Sequence, residues 1–196
     1  MKRMTQYNST INKEELAKLP IESFPGRIIV VENEIDTNKA MRYLTLFDAV
    51  GFDTETRPNF RKGQNHTVSL MQISTNEACF LFRLNKIGIP EGLKNFLINE
   101  NVMKIGLSLK DDFGAMRKRT NIEPANFVDL QSIVGEYGIE DASLQKIYAI
   151  LFEMKISKGQ RLTNWEAVRL TESQQKYAAL DAWACLRIYN QLKQLP

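Results

Sequence analysis

The sequence holds one histidine in 196 residues, His66, and that scarcity removes whole reaction classes. A zinc centre built from several imidazoles is excluded, as is the H-E-x-x-H helix of metalloproteases. A Ser-His-Asp triad would have to use His66, which stands in a polar stretch, RKGQNHT, a poor setting for a buried general base. Neither G-x-x-x-x-G-K-[ST] nor G-x-G-x-x-G occurs, so no nucleotide-binding glycine loop of the usual kind is present. Cysteine is nearly as scarce. Cys79 and Cys185 are far apart and form no C-x-x-C, which argues against a zinc ribbon or redox motif and suits a reducing compartment. No run approaches the ~18 apolar residues of a membrane span, and the opening MKRMTQYNST lacks the apolar segment of a secretion signal. These absences predict a cytoplasmic protein that does not engage a membrane. The chemistry left to it must be done mainly by carboxylates.

What is present suits one soluble domain. A length of 196 residues with 43% hydrophobic and 25% charged content can bury a core without disulfide staples. The net charge of +3 is too small to identify a polyanionic partner. Local basic clusters stand at Arg57, Arg61 and Lys62, at Arg117, Lys118 and Arg119, and at Lys155, Lys158 and Arg161. Each fits a solvated face as well as a phosphate-contacting one.

Residues 1–26 are polar and read as an N-terminal arm, with a short helix at Asn12–Leu19, ahead of a domain spanning 27–196. Arg27–Val31 reads as a strand. Thr37–Val50 has helical spacing, with Asp36 or Thr37 as its cap. Three strand-like runs follow, Val50–Glu55, Val68–Ser74 and Ala78–Phe82, separated by polar breaks as in a meander of hairpins. Then come a helix at Glu91–Asn99, a strand at Met103–Leu109, a helix at Asp112–Arg119, a strand at Phe127–Leu130 and a helix at Leu144–Phe152. Lys155–Trp165 reads as a loop. Thr171-Glu172-Ser173-Gln174 fits a capping box, and helical spacing then runs to Leu195. The order predicts an α/β fold, a mixed sheet flanked by helices and compatible with the RNase H-like class.

Against that background several carboxylates are misplaced. Asp53 and Glu55, in VGFDTET, are two apart on a strand and so share a face. Two like charges on a buried face raise each other's pKa and cost stability. Either the strand end is open to solvent, with Arg57 beside it, or something else neutralises them. Asp181 lies four residues after Tyr177 on a helix face continued by Ala184, Ile188, Leu192 and Leu195, which makes it a carboxylate on the apolar stripe. Tyr177 or an arginine could satisfy it; so could a metal. Asp111 and Asp112 stand between a strand and a helix, where an aspartate often serves as a cap. Taken together, carboxylates from three separate places suit one or two hard divalent cations, Mg²⁺ or Mn²⁺, of the kind that clamp the attacking and leaving oxygens in phosphoryl transfer.

With these residues assembled, the chain resembles the DEDDy-type 3′→5′ exonucleases, the group that includes the Werner syndrome helicase exonuclease domain and ribonuclease D. Three motifs carry the likeness: Gly51-Phe52-Asp53-Thr54-Glu55 with the following Val68–Ile73, Gly106–Asp112, and Tyr177-Ala178-Ala179-Leu180-Asp181, over roughly residues 28–192. The resemblance implies an RNase H-like fold and two-metal hydrolysis of terminal phosphodiesters at a free 3′ end of nucleic acid. It implies that Asp53, Glu55 and Asp181 hold one Mg²⁺ or Mn²⁺ ion, that Asp53 bridges to a second served by Asp112, and that Tyr177 orients the attacking water. Position 176, where a histidine would mark the sister subtype, is lysine. Ser108 and Asp111 replace an asparagine and an aromatic found in many relatives, and Asp111 is the fallback for Asp112. Arg57, Lys62, Lys158, Arg161 and Trp165 are candidate substrate contacts, as is Phe113, and the family adds Leu70 and Met71 near the terminal base. Ribonuclease D-like enzymes usually carry further C-terminal helical domains, so a sequence that ends at Pro196 favours DNA over RNA. A non-catalytic nucleic-acid-binding module on the same fold is the remaining alternative.

Overall fold

The computed structural model describes residues 7–60 and 66–194. Arg61, Lys62 and Leu195 lie outside the described residues. Six strands, β1 (Arg27–Val31), β2 (Ala49–Thr56), β3 (Val68–Ser74), β4 (Ala78–Phe82), β5 (Met103–Gly106) and β6 (Phe127–Asp129), form one sheet in the order β1-β4-β3-β2-β5-β6. Strands β2, β3 and β4 are successive antiparallel partners, while β1, β5 and β6 join in parallel. The mixed sheet flanked by helices is therefore present, with the predicted meander at its centre.

Both faces of the sheet are covered. All seven residues of β3 and all five of β4 are buried, which is why they read as continuous apolar runs and not as alternations. On one face α2 (Glu34–Leu44), α4 (Glu91–Leu97) and α5 (Leu109–Arg117) cover a core that includes Val50, Phe52, Met71 and Ile73. On the other, α7 (Glu172–Lys193) packs Ala178, Ala179 and Ala182 against Leu70 and Leu81. Helix α6 (Leu144–Phe152) packs beside α7 in a second cluster with Ile147, Leu151 and Ile188. Two short helices, α1 (Lys13–Lys18) and α3 (Leu84–Ile87), complete the set. Both cysteines are free and buried. Among the described residues, no helix is long and apolar enough to cross a membrane.

Element ends move where local chemistry outcompetes periodicity. Helix α2 starts three residues before the expected point because Asn33, not Asp36 or Thr37, caps it, accepting from the Asp36 amide at 2.8 Å. Strand β5 stops at Gly106 and not Leu109, because Ser108 turns the chain through a left-handed conformation (φ 62°). Helix α5 therefore begins at Leu109, and Asp112 lies inside it instead of capping it. The cap comes from another strand: the Asp129 carboxylate accepts from the Ser108 and Leu109 amides at 3.0 and 2.9 Å. Helix α4 ends at Leu97, and Leu130 opens a 3-10 turn instead of extending β6. The capping box of α7 is formed as read, with the Gln174 amide donating to Thr171 Oγ1 at 3.2 Å and the Thr171 amide to Gln174 Oε1 at 3.0 Å.

One glycine positions the site. A Cβ on Gly51 would lie 1.9 Å from the Ala182 carbonyl oxygen, so β2 and α7 meet backbone to backbone only because residue 51 has no side chain. That close approach sets Asp181, the residue before Ala182, beside Asp53 and Glu55.

Candidate active site

Strand alternation directs Val50 and Phe52 into the core beneath α2 and sends Gly51, Asp53 and Glu55 towards α7. Asp181 approaches from α7. Oxygens of Asp53, Glu55 and Asp181 all lie within 4.8 Å of one another. Glu55 and Asp181 are 8% and 7% exposed, and Asp53 keeps partial solvent access though crowded by protein. Among the described residues, no lysine or arginine forms an ion pair with any of the three. The pairing of β2 with β3 slips between Glu55 and Thr56, a bulge at the end of the strand that carries the acids.

The electrostatic consequence is plain. Burial, and then the charges of Glu55, Asp112 and Asp181, push the Asp53 carboxyl far above its ordinary range. Burial, with Asp181 and Asp112, raises Glu55 to about 9. Burial raises Asp181 to about 7, against the opposing effects of a Tyr177 hydrogen bond and the Lys158 charge. Left to itself the cluster would hold protons at neutral pH. Three carboxylate oxygen donors gathered within 4.8 Å of one another are a donor set that fits a hard divalent ion.

The doublet separates cleanly. Asp111 is exposed, whereas Asp112 is half-buried and accepts a hydrogen bond from Thr54 Oγ1. Burial raises Asp112 to about 6. Asp112 lies outside the three-carboxylate group, on the side of β2 to which Thr54 belongs. Tyr177 stands one turn before Asp181, and its phenol is hydrogen-bonded to that carboxylate. Burial and the charges of Asp181 and Glu55 push the phenol well above its ordinary value, so it stays protonated.

Comparison with known proteins now bears on the site. The 3′-5′ exonuclease domain family matches residues 28–195. The chain belongs to that family. It is 29% identical over 202 residues to the bifunctional 3′-5′ exonuclease/ATP-dependent helicase WRN of Mus musculus, an alignment covering 97% of this chain and 14% of that protein's length. Among solved structures, the fold is similar to the Aedes aegypti Nibbler EXO domain (TM-score 0.79, 19% identity, 88% of this chain and 91% of that one). It is also similar to Escherichia coli RNase D, an exoribonuclease involved in structured RNA processing (TM-score 0.76, 21% identity, 86% of this chain and 44% of that one). These likenesses identify the sheet as RNase H-like.

Within this exonuclease domain the candidate substrate residues divide. Lys158 and Arg161 are exposed and line a cleft of about 430 Å³ that also reaches Ser108, Gln131, Tyr177 and Asp181. Arg57 is engaged with Glu166 at 3.2 Å, which His66 also meets at 3.1 Å. Leu70, Met71 and Trp165 lie in the interior. All three are fully buried, because β3 is covered on both faces and Trp165 packs behind Tyr177, 6.0 Å between ring centroids. Phe113 is half-buried and sits edge-on against Phe127.

Two residues escaped the reading of the sequence. Asp129 organises the turn into α5, and only the adjacency of β6 to β5 reveals it. Gln72 pairs across the ladder with Asp53 and is fully buried, and neither end of its carboxamide has a partner among the described residues. A lone amide in the apolar run VSLMQIS was the available signal.

Proposed function

We propose that this domain hydrolyses the terminal phosphodiester at the 3′ end of nucleic acid, releasing mononucleotides, with Mg²⁺ or Mn²⁺ as cofactor. The observation that carries the proposal is the convergence of the Asp53, Glu55 and Asp181 carboxylates, mutually repelling and with no ion pair among the described residues, in a chain of the 3′-5′ exonuclease family. Asp53, Glu55 and Asp181 would hold one divalent ion, and Asp53 with Asp112 a second. When bound, such ions stabilise the charge that develops on attacking and leaving oxygens in phosphoryl displacement.

The protein's own groups have distinct tasks. Tyr177, held protonated, acts by hydrogen bonding and not as a base: its phenol fixes the Asp181 carboxylate and presents a hydroxyl towards the cleft. Lys158 and Arg161 place positive charge in the same cleft, where the phosphates of a bound strand would lie. Thr54 fixes the Asp112 carboxylate from β2. Buried Trp165 backs Tyr177 and keeps its ring in place.

The test is an end-labelled oligonucleotide assay on DNA and RNA in parallel, with Mg²⁺, Mn²⁺ or EDTA, for wild type and Asp53→Asn. The expected result is a metal-dependent ladder shortening from the 3′ end and absent in the variant, with the relative rates on the two substrates ranking them. Intact substrates under every metal condition would refute the proposal and favour the non-catalytic binding module.

A further inference from the structure

The loop beside the cleft is held from outside the family match. Residues 7–26 precede the matched segment 28–195, yet they are fastened to the loop that carries Lys158 and Arg161. Ile21 and Lys155 form a parallel bridge. The Lys155 amide donates to the Pro20 carbonyl at 2.9 Å and the Glu22 amide to the Lys155 carbonyl at 2.9 Å. The Lys155 ammonium also reaches back to the Ala17 carbonyl. The next residue, Ile156, is buried, and its carbonyl accepts from Gln145 Nε2 at 2.6 Å. From there to Thr163 the loop has little else to hold it. Among the described residues, the hydrogen bonds of residues 157–162 stay inside the loop, such as Gly159 N to Ser157 Oγ and Arg161 N to Lys158 O.

The arm touches the body at several points, among them Ile11 N to Asp141 Oδ2 at 2.9 Å and Glu140 N to the Ser9 carbonyl at 2.8 Å, and beside the Lys155 bridge it is held by the Glu22 side chain. The Glu22 carboxylate accepts from the Tyr148 hydroxyl at 2.7 Å on α6 and from Arg187 at 2.6 Å on α7. Arg187 is in turn clasped by the rings of Phe152, Trp183 and Tyr148, at 4.2, 5.0 and 5.5 Å from their centroids. Phe24 adds an edge-on contact to Trp183. A carboxylate with two charge-assisted or phenolic donors is a firm anchor compared with exposed surface pairs.

We infer that Glu22 is a positioning residue: by anchoring the arm on α6 and α7 it fixes Lys155, and through Lys155 the placement of Lys158 and Arg161 over the carboxylate cleft. The charges of those two residues already act on the site, Lys158 on Asp181 and Arg161 on Glu55. The inference rests on the exonuclease proposal for its consequence, a weaker hold on the nucleic-acid substrate, but not for the coupling itself. Glu22 touches neither substrate nor the acidic cluster, so its loss acts on substrate affinity and spares the chemical step.

Two measurements test this on the full chain with Glu22→Ala, Glu22→Gln and Glu22→Pro, the last also removing the amide that bonds Lys155. The first is amide hydrogen exchange. Residues 155–163 should exchange faster in Glu22→Ala and Glu22→Pro while β2, β3 and β4 keep wild-type protection, and Glu22→Gln, which retains acceptor capacity, should fall between. The second is steady-state hydrolysis and anisotropy binding of a labelled oligonucleotide. KM and Kd should rise about two- to thirtyfold, the range over which mutations in a coupling network act, with kcat unchanged. Unchanged exchange at 155–163 overturns the inference, as does faster exchange with unaltered KM and Kd, or a loss confined to kcat. Loss of protection throughout β2–β4 in all three variants also overturns it, since Glu22 would then serve the fold as a whole. A wild-type protein that cleaves nothing refutes the exonuclease proposal instead; exchange and oligonucleotide Kd then still decide whether Glu22 places the loop.

Discussion

Helix α7 presents two charged groups to the body of the protein, Asp181 buried and Arg187 half-buried, and their surroundings are opposites. Arg187 meets a carboxylate, a phenol and three aromatic rings. Asp181, less than two turns earlier, meets two further carboxylates and a phenol. The fully buried cations Lys104 and Arg83 also have partners. Lys104, fully buried, donates to the Asn99 carbonyl at 2.6 Å and lies over Phe127 and Phe96, and burial lowers it to about 8. Arg83, also fully buried, reaches Glu32 at 3.3 Å and the Ala167 carbonyl. Thus each of these cations has an anionic, carbonyl or aromatic partner, whereas among the described residues the three carboxylates have no ion-pair partner. An unpaired buried ion costs several kcal/mol by the usual reckoning, so a region that keeps three of them together is arranged for something that binds there.

That contrast can be broken at either end. The largest expected effect is on activity: Asp53→Asn and Asp181→Asn should each lower hydrolysis by roughly a thousandfold or more. The same variants should be as stable as wild type, or more so, in EDTA, because each removes a repulsive charge. Thermal melts with and without metal would show it, and a severe drop in Tm for both would mean the carboxylates are structural.

The pH dependence should differ in sign between the two regions. The cluster carboxylates bind protons in the fold that the unfolded chain has released. Stability of the metal-free protein should therefore fall as pH rises from about 4, past the values for Asp112 (about 6) and Asp181 (about 7), towards that for Glu55 (about 9). Saturating Mn²⁺ should remove most of that slope. Glu22 is the opposite case: burial opposes ionisation, but bonds from Tyr148, the Ser23 amide and Arg187 outweigh it and lower its pKa. Its contribution is present above its ordinary 4.5 and lost as pH falls through the lowered value. A metal-free melt series from pH 3 to 9 that rises monotonically would contradict this reading.

Smaller effects sharpen the comparison. Tyr177→Phe keeps the carboxylates and removes one hydroxyl, so a loss of about a hundredfold in kcat is expected, the low end for a proton-positioning group. A loss equal to that of the aspartate variants would assign Tyr177 a different role. Arg187→Met should destabilise by about 2 kcal/mol in denaturant titration, since it strips a charged partner from Glu22. Gln72→Met should raise metal-free stability by about 1 kcal/mol, since both ends of its carboxamide lack partners. A fall instead would show that an ordered water satisfies the amide.

Much of this could be read from residues in order. The strands of the meander, α6 and the capping box of α7 follow from periodicity and local chemistry, because each depends on residues within a few positions of one another. So does the shared face of Asp53 and Glu55. The substrate contacts were less legible. Leu70, Met71 and Trp165 are fully buried, since burial on both faces of β3 depends on what covers it, and no short window of sequence contains that. Asp129 as the cap of α5 was hidden for the same reason: its partners are 20 and 21 residues away and meet it only because β6 lies beside β5.

The sequence by itself determined the class of chemistry: one histidine, no glycine-rich phosphate loop, and carboxylates at strand and helix positions that should be apolar. Those are properties of residue type and local period, and they survive without coordinates. The tertiary structure decided that Asp111 is exposed while Asp112 is half-buried against Thr54, that Gly51 lets α7 close on β2, and that an arm ahead of the family match grips the loop over the cleft. Each of these is a contact between segments distant in the chain. Such contacts arise only when the sheet order and the packing of both faces are fixed together.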